Sequence, residues 1–81
     1  MIWVTDVQYI TGYTVLVTFN TGEKKRVDLE YKMKNGVFLP LKKIDHFKRF
    51  SLKNDTITWE NGADIAPESL YERGEKISQL L

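Results

Sequence analysis

Tyr13, Val15, Val17 and Phe19 alternate with Thr14, Leu16, Thr18 and Asn20, an unbroken period of two. Successive side chains of a strand point to opposite faces, so the pattern sets an aromatic and β-branched row against a mostly polar one. Such a segment is a half-buried strand, and it demands partners. Upstream, Trp3, Thr5, Val7 and Tyr9 alternate with Ile2, Val4, Asp6, Gln8 and Ile10, and Thr11-Gly12 supplies the turn between the two segments. Downstream, Asn20-Thr21-Gly22-Glu23 reads as a second turn, after which Lys25, Val27 and Leu29 alternate with Lys24, Arg26 and Asp28. A three-stranded antiparallel meander is predicted. The charged face of its third strand suits an edge exposed to water.

From Leu29 the period of two is lost. Glu30 to Lys34 reads as one helical turn stopped by Asn35-Gly36, and Val37-Phe38-Leu39-Pro40-Leu41 as a short extended apolar run. Ile44, Phe47 and Phe50 step by three, which predicts a short helix over 43–49. Phe50 and Leu52 then answer Ile57 and Trp59 across Asn54-Asp55, a second tight hairpin closing on Asn61-Gly62. Pro67 suits a first helical position and Glu68 the positive end of a helix dipole, while Leu70, Ile77 and Leu81 share one stripe of a C-terminal helix. Gly74 either weakens that helix or ends it. The fold class is therefore α+β: the meander, a second hairpin, one short middle helix and a C-terminal helix.

Eighty-one residues make one domain, residues 1–81, with no room for a second. No apolar run approaches the roughly 18 to 20 residues that span a bilayer, so no membrane role is expected. The chain has no Cys, which excludes a disulfide scaffold, a thiolate nucleophile and Cys-based metal sites, and fits a reducing cytoplasm. The net charge is only +1, but it is unevenly spread. Residues 24–53 hold ten basic and three acidic side chains, a net +7, whereas residues 54–81 carry a net −4. Such asymmetry marks either a partner footprint or two attracting faces of one fold.

One stretch is more specific. Val4-Thr5-Asp6-Val7, Val15 to Phe19, Gly22, Val27-Asp28-Leu29, Gly36-Val37-Phe38, Leu41 and above all Trp59-Glu60-Asn61-Gly62-Ala63-Asp64-Ile65-Ala66-Pro67-Glu68-Ser69-Leu70-Tyr71 resemble a small bacterial family, the Domain of Unknown Function 2442 (DUF2442). The similarity runs over about residues 3 to 72. It implies a small α+β domain with an antiparallel sheet, and no established activity. Family members occur alone or fused to a helix-turn-helix domain, and some lie beside small partner proteins in a toxin–antitoxin-like arrangement. Two positions depart from the pattern: Glu60 stands where Pro is common, and Ala66 where Asp often caps the helix. Asp64 or water is then left to satisfy the first helical N–H groups.

The residue inventory is poor in catalytic signals. His46 is the only His, and no Ser or Thr sits beside it in a triad pattern. One His also makes a poor metal site, and Asn61-Gly62 lacks the Gly-rich surroundings of a phosphate cradle, so neither metal nor cofactor is expected. The best acid–base cluster available, Asp64, Glu68, Tyr71 and His46, depends on proximity that spacing does not supply. Trp59 and Tyr71 flank the family-like segment with polar tips that suit an interface or a core edge equally.

The reading is a non-catalytic protein-interaction or adaptor module, the antitoxin-like or regulatory partner of another small protein. Its candidate interface is Trp59, Asn61, Gly62, Asp64, Pro67, Leu70 and Tyr71. The alternative is a nucleic-acid-binding accessory domain using residues 24–53, with Lys24, Lys25, Arg26, Lys48 and Arg49 as its basic patch. Oligomeric state is left open.

Overall fold

The computed structural model describes residues 1–77. The meander forms as expected, with β1 (Val4–Thr11), β2 (Thr14–Phe19) and β3 (Lys24–Asp28) paired antiparallel in that order. Val15, Val17, Phe19 and Val27 are buried along one face, while Thr14 faces Asp28, Leu16 faces Arg26 and Thr18 faces Lys24 on the other. The alternation thus assigns each row to its side.

Simple alternation fails in β1. Val4 would fall on the face opposite Val7 and Tyr9, yet Val4 is buried and both of the others pack against the same core. The register shows the cause: Val4 pairs with Phe19 and Asp6 with Thr18, so Thr5 is an extra residue that reverses the phase. A second irregularity between Tyr9 and Thr11 sets Ile10 out of register. Bulges of this kind bend an edge strand and blunt its capacity to pair with other chains.

The connection after β3 departs most from expectation. Glu30–Lys32 is a single 3-10 turn, and Gly36–Lys42 is also 3-10 instead of extended. With three residues per turn, Phe38 and Leu41 share one side. They turn inward, Leu41 buried and Phe38 packed on the core, whereas Val37 and Leu39 are left 53% and 49% exposed. α1 (Ile44–Phe47) follows within the predicted helical span and drives Phe47 into the centre of the core.

The second hairpin forms with β4 (Ser51–Lys53) and β5 (Thr56–Thr58) in the predicted register, Leu52 opposite Ile57. Asn54 and Asp55 both have positive φ, 52° and 64°, the two-residue turn whose twist matches flanking strands. It makes a separate two-stranded sheet, docked on the start of β1 through the Val4 amide, which donates to the Asp55 carbonyl at 2.9 Å.

α2 (Pro67–Arg73) starts at Pro67 and stops at Gly74. The helical stripe Leu70–Ile77–Leu81 is therefore not continuous. Glu75–Lys76 forms β6, which pairs with Lys25 and Arg26, so β3 is an inner strand and not the edge. Leu81 lies outside the described residues. Gly74 permits this return by its lack of a side chain: a Cβ there would meet the Lys25 Cβ at 2.7 Å and the Leu70 carbonyl oxygen at 3.0 Å. Asp64 does not cap α2, which has no side-chain cap. The described residues contain no helix long and apolar enough to cross a membrane.

Candidate functional site

The family-like segment is anchored by Trp59, which is 4% exposed at the end of β5. Its indole Nε1–H donates to the Phe47 carbonyl at 2.8 Å, and its ring lies against Phe47 and edge-on to Phe38. The chain then reverses tightly. The Gly62 amide donates to the Trp59 carbonyl at 3.0 Å, and the Trp59 amide to the Ala63 carbonyl at 2.9 Å. Asn61 locks the turn to its neighbour: its Oδ1 accepts from the Ala63 amide at 3.1 Å, and its Nδ2 donates to the Val37 carbonyl at 2.7 Å. A polar side chain thereby ties the 3-10 segment Gly36–Lys42 to the Trp59 turn.

Between these elements and α1 lies a surface hollow of about 150 Å³. Pro40, Leu41 and Trp59 supply its apolar lining, and His46, Arg49, Glu60 and Asn61 its polar rim. The His46 and Arg49 side chains have no hydrogen-bond or ion-pair partner among the described residues. The exposed Val37 and Leu39 belong to the same 3-10 segment as Pro40 and Leu41. The arrangement is an apolar depression with two free donors at its border, on a segment that also carries two exposed apolar side chains.

The sequence-derived candidates divide on inspection. Trp59 and Leu70 are buried and Pro67 half-buried, so the first two offer almost no surface to a partner. Asn61, Gly62 and Asp64 are exposed, with Asp64 bridged to Thr58. Of the seven, Trp59 and Asn61 line the hollow. The basic patch is not one surface. Lys24 and Arg26 lie on the solvent face of β3, whereas Lys25 turns inward, its Nζ 3.5 Å from the Tyr71 ring centroid and donating to the Tyr71 carbonyl at 2.7 Å. Lys48 sits over Tyr9, and Arg49 borders the hollow. His46, Asp64, Glu68 and Tyr71 share no hydrogen bond, and no two of them line one hollow among the described residues.

Tyr71 has a structural task instead. Its ring meets Phe19 edge-on at 5.1 Å and its hydroxyl donates to Glu23 Oε1 at 2.6 Å. That hydrogen bond holds the Glu23 carboxyl below its ordinary value of 4.5, helped by a second from Thr21 and by the Lys76 and Lys25 charges against an opposing effect of burial. The same bond and burial beside the carboxylate raise the Tyr71 phenol above 10.0. A depressed carboxyl favours the fold above its unfolded value and loses that contribution as pH falls through the folded one. A raised phenol favours the fold below its unfolded value and loses it as pH rises through the folded one. Stability should thus decline below about pH 4.5 and above about pH 10 through this pair, and Tyr71→Phe should flatten both limbs in denaturant melts across pH.

Gly62 and Gly74 are both required, for different reasons. Gly62 has φ +90° with open space where a Cβ would stand, so its cost on substitution is conformational. Gly74 has ordinary φ but no space. Each Gly→Ala change should destabilise by roughly 1 kcal/mol or more. Gly62→Asn should recover part of that loss because Asn tolerates positive φ, whereas Gly74→Asn should recover none. Equilibrium melts of the four variants check this.

Pro40, Leu41 and Glu60 did not stand out in the sequence as site residues. The available signal was the apolar run Val37–Leu41, which has more apolar side chains than a short 3-10 segment can turn to one core. No curated protein and no solved structure matches the chain. The family model described as "Protein of unknown function (DUF2442)" matches residues 4–76, nearly the whole chain, including the Trp59 turn and both sheets. The chain belongs to the DUF2442 family.

Proposed function

We propose that this protein is a non-catalytic interaction module that docks a second protein, in the manner of the regulatory member of a two-protein pair, in a reducing compartment such as the cytoplasm. The observation that carries the reading is the exposed pair Val37 and Leu39 on the same 3-10 segment as the apolar lining of the Trp59 hollow. Single exposed apolar residues are ordinary, but two of them on the segment that also lines a polar-rimmed apolar depression support a binding patch. Nucleic-acid binding is the weaker reading, since Lys25 is engaged with Tyr71 and the remaining basic residues occupy separate surfaces.

Affinity capture from the native host tests the reading, with the wild-type protein beside a Val37→Asp, Leu39→Asp double variant. Both positions are exposed, so the variant should fold as the wild type does. A protein retained by the wild type and lost by the variant is the expected result. Identical recovery by both, or none by either, overturns the proposal.

A further inference from the structure

We infer that the Trp59 hollow accepts an acidic peptide segment anchored by one apolar side chain. The inference rests on the interaction reading and names its partner's chemistry. A volume of about 150 Å³ accommodates a group about the size of benzene, so one branched aliphatic or aromatic side chain fills it. The indole N–H of Trp59 is already engaged by the Phe47 carbonyl, and the lining from Leu41 and Pro40 is apolar. The bottom of the hollow therefore selects for an apolar group.

The rim selects for charge. Arg49 and His46 border the hollow without hydrogen-bond or ion-pair partners among the described residues, and Lys42 and Lys43 are exposed in the chain that leads from Leu41 into α1, where Asp45 is the one acidic residue of the 42–49 stretch; Lys48 lies instead over Tyr9. Glu60 is the only carboxylate on the rim. Around the hollow Arg49, Lys42 and Lys43 outnumber Asp45 and Glu60 by three to two, so a ligand with carboxylates flanking its apolar anchor meets a positive border, and Arg49 can hold a carboxylate through two parallel N–H donors. A neutral apolar segment would leave them unpaired, and a basic one would be repelled.

The test uses the full chain with Trp3→Phe, so that Trp59 is the only indole. The probe is the acetylated, amidated peptide Asp-Glu-Leu-Glu-Asp, followed by the indole N–H resonance of Trp59. Saturable movement of that resonance is expected, weakening as salt rises. Replacing the peptide's Leu by Ser, or its acids by their amides, should each reduce affinity about tenfold or more, and Arg49→Glu should do the same. Absence of any shift, or equal binding of the three peptides, overturns the inference. So does movement of the same resonance by a single-stranded oligonucleotide in preference to the peptide, which would assign the cations to phosphate. If the peptide fails while the Val37, Leu39 variant still loses a captured protein, the partner chemistry falls and the interaction reading stands.

Discussion

Phe47→Ala should cost about 3–5 kcal/mol of stability, the larger of the two strongest effects expected in this chain. Phe47 is 0% exposed, and four aromatic rings surround it: Tyr13 edge-on at 5.4 Å, Trp59 tilted at 5.8 Å, and Tyr9 and Phe50 at 6.3 and 6.4 Å. Truncation removes the group on which the meander, α1 and the Trp59 turn all converge. Rigid rings collapse poorly into the space left behind, so the cavity contribution should be large. At roughly 0.05–0.15 kcal/mol per residue, a domain of this length has only about 4–12 kcal/mol to lose. Urea melts should show a sharply lowered midpoint, with Phe47→Leu intermediate. A wild-type midpoint for Phe47→Ala would mean that the aromatic cluster is not the centre of the core.

Leu70→Ala should cost about 2–5 kcal/mol, with a loss of melting temperature of roughly 8 °C or more. α2 has seven residues, too few to hold together in water without tertiary support. Leu70 is its one fully buried side chain; Tyr71 against Phe19 and Arg73 over Tyr31 at 3.6 Å only flank it. Loosening α2 should also release the Tyr71–Glu23 hydrogen bond. The variant should therefore lose the acid and alkaline limbs of its stability profile along with the helix. Retention of the wild-type pH profile in a destabilised Leu70→Ala protein would show that Tyr71 is positioned independently of α2.

The hollow and the core are coupled through one group. The Phe47 carbonyl receives the Trp59 indole, so the same residue fills the core and orients the lining of the candidate site. Charge substitutions on the rim at Arg49 act on exposed atoms and leave this bond intact. That separation makes binding and folding measurable independently.

Local pattern alone determined the strands whose period is unbroken, and the turns with their own chemistry. The row Val15, Val17, Phe19 has one possible inward face, and Asn54-Asp55 carries side chains that tolerate positive φ. Pro67 set the start of α2 because its fixed φ suits a first turn. The Trp59 to Tyr71 segment was legible as a unit, although most of it serves the fold. Tertiary structure decided the rest. Thr5 is ordinary in sequence, and only pairing against β2 makes it the bulge that turns Val4 inward. The run Val37–Leu41 is compatible with extended or 3-10 backbone; the need to bury Phe38 and Leu41 together, and the Asn61 side chain waiting for the Val37 carbonyl, select the second. Gly74 could have continued a helix at a modest cost, but the hydrogen bonds offered by the outer side of β3 and the contact with Lys25 convert it into the start of β6. The site is built from three short segments, 40–41, 46–49 and 59–61, each in a different local structure. Its shape depends on side-chain contacts between them, and no spacing within any one segment encodes those contacts.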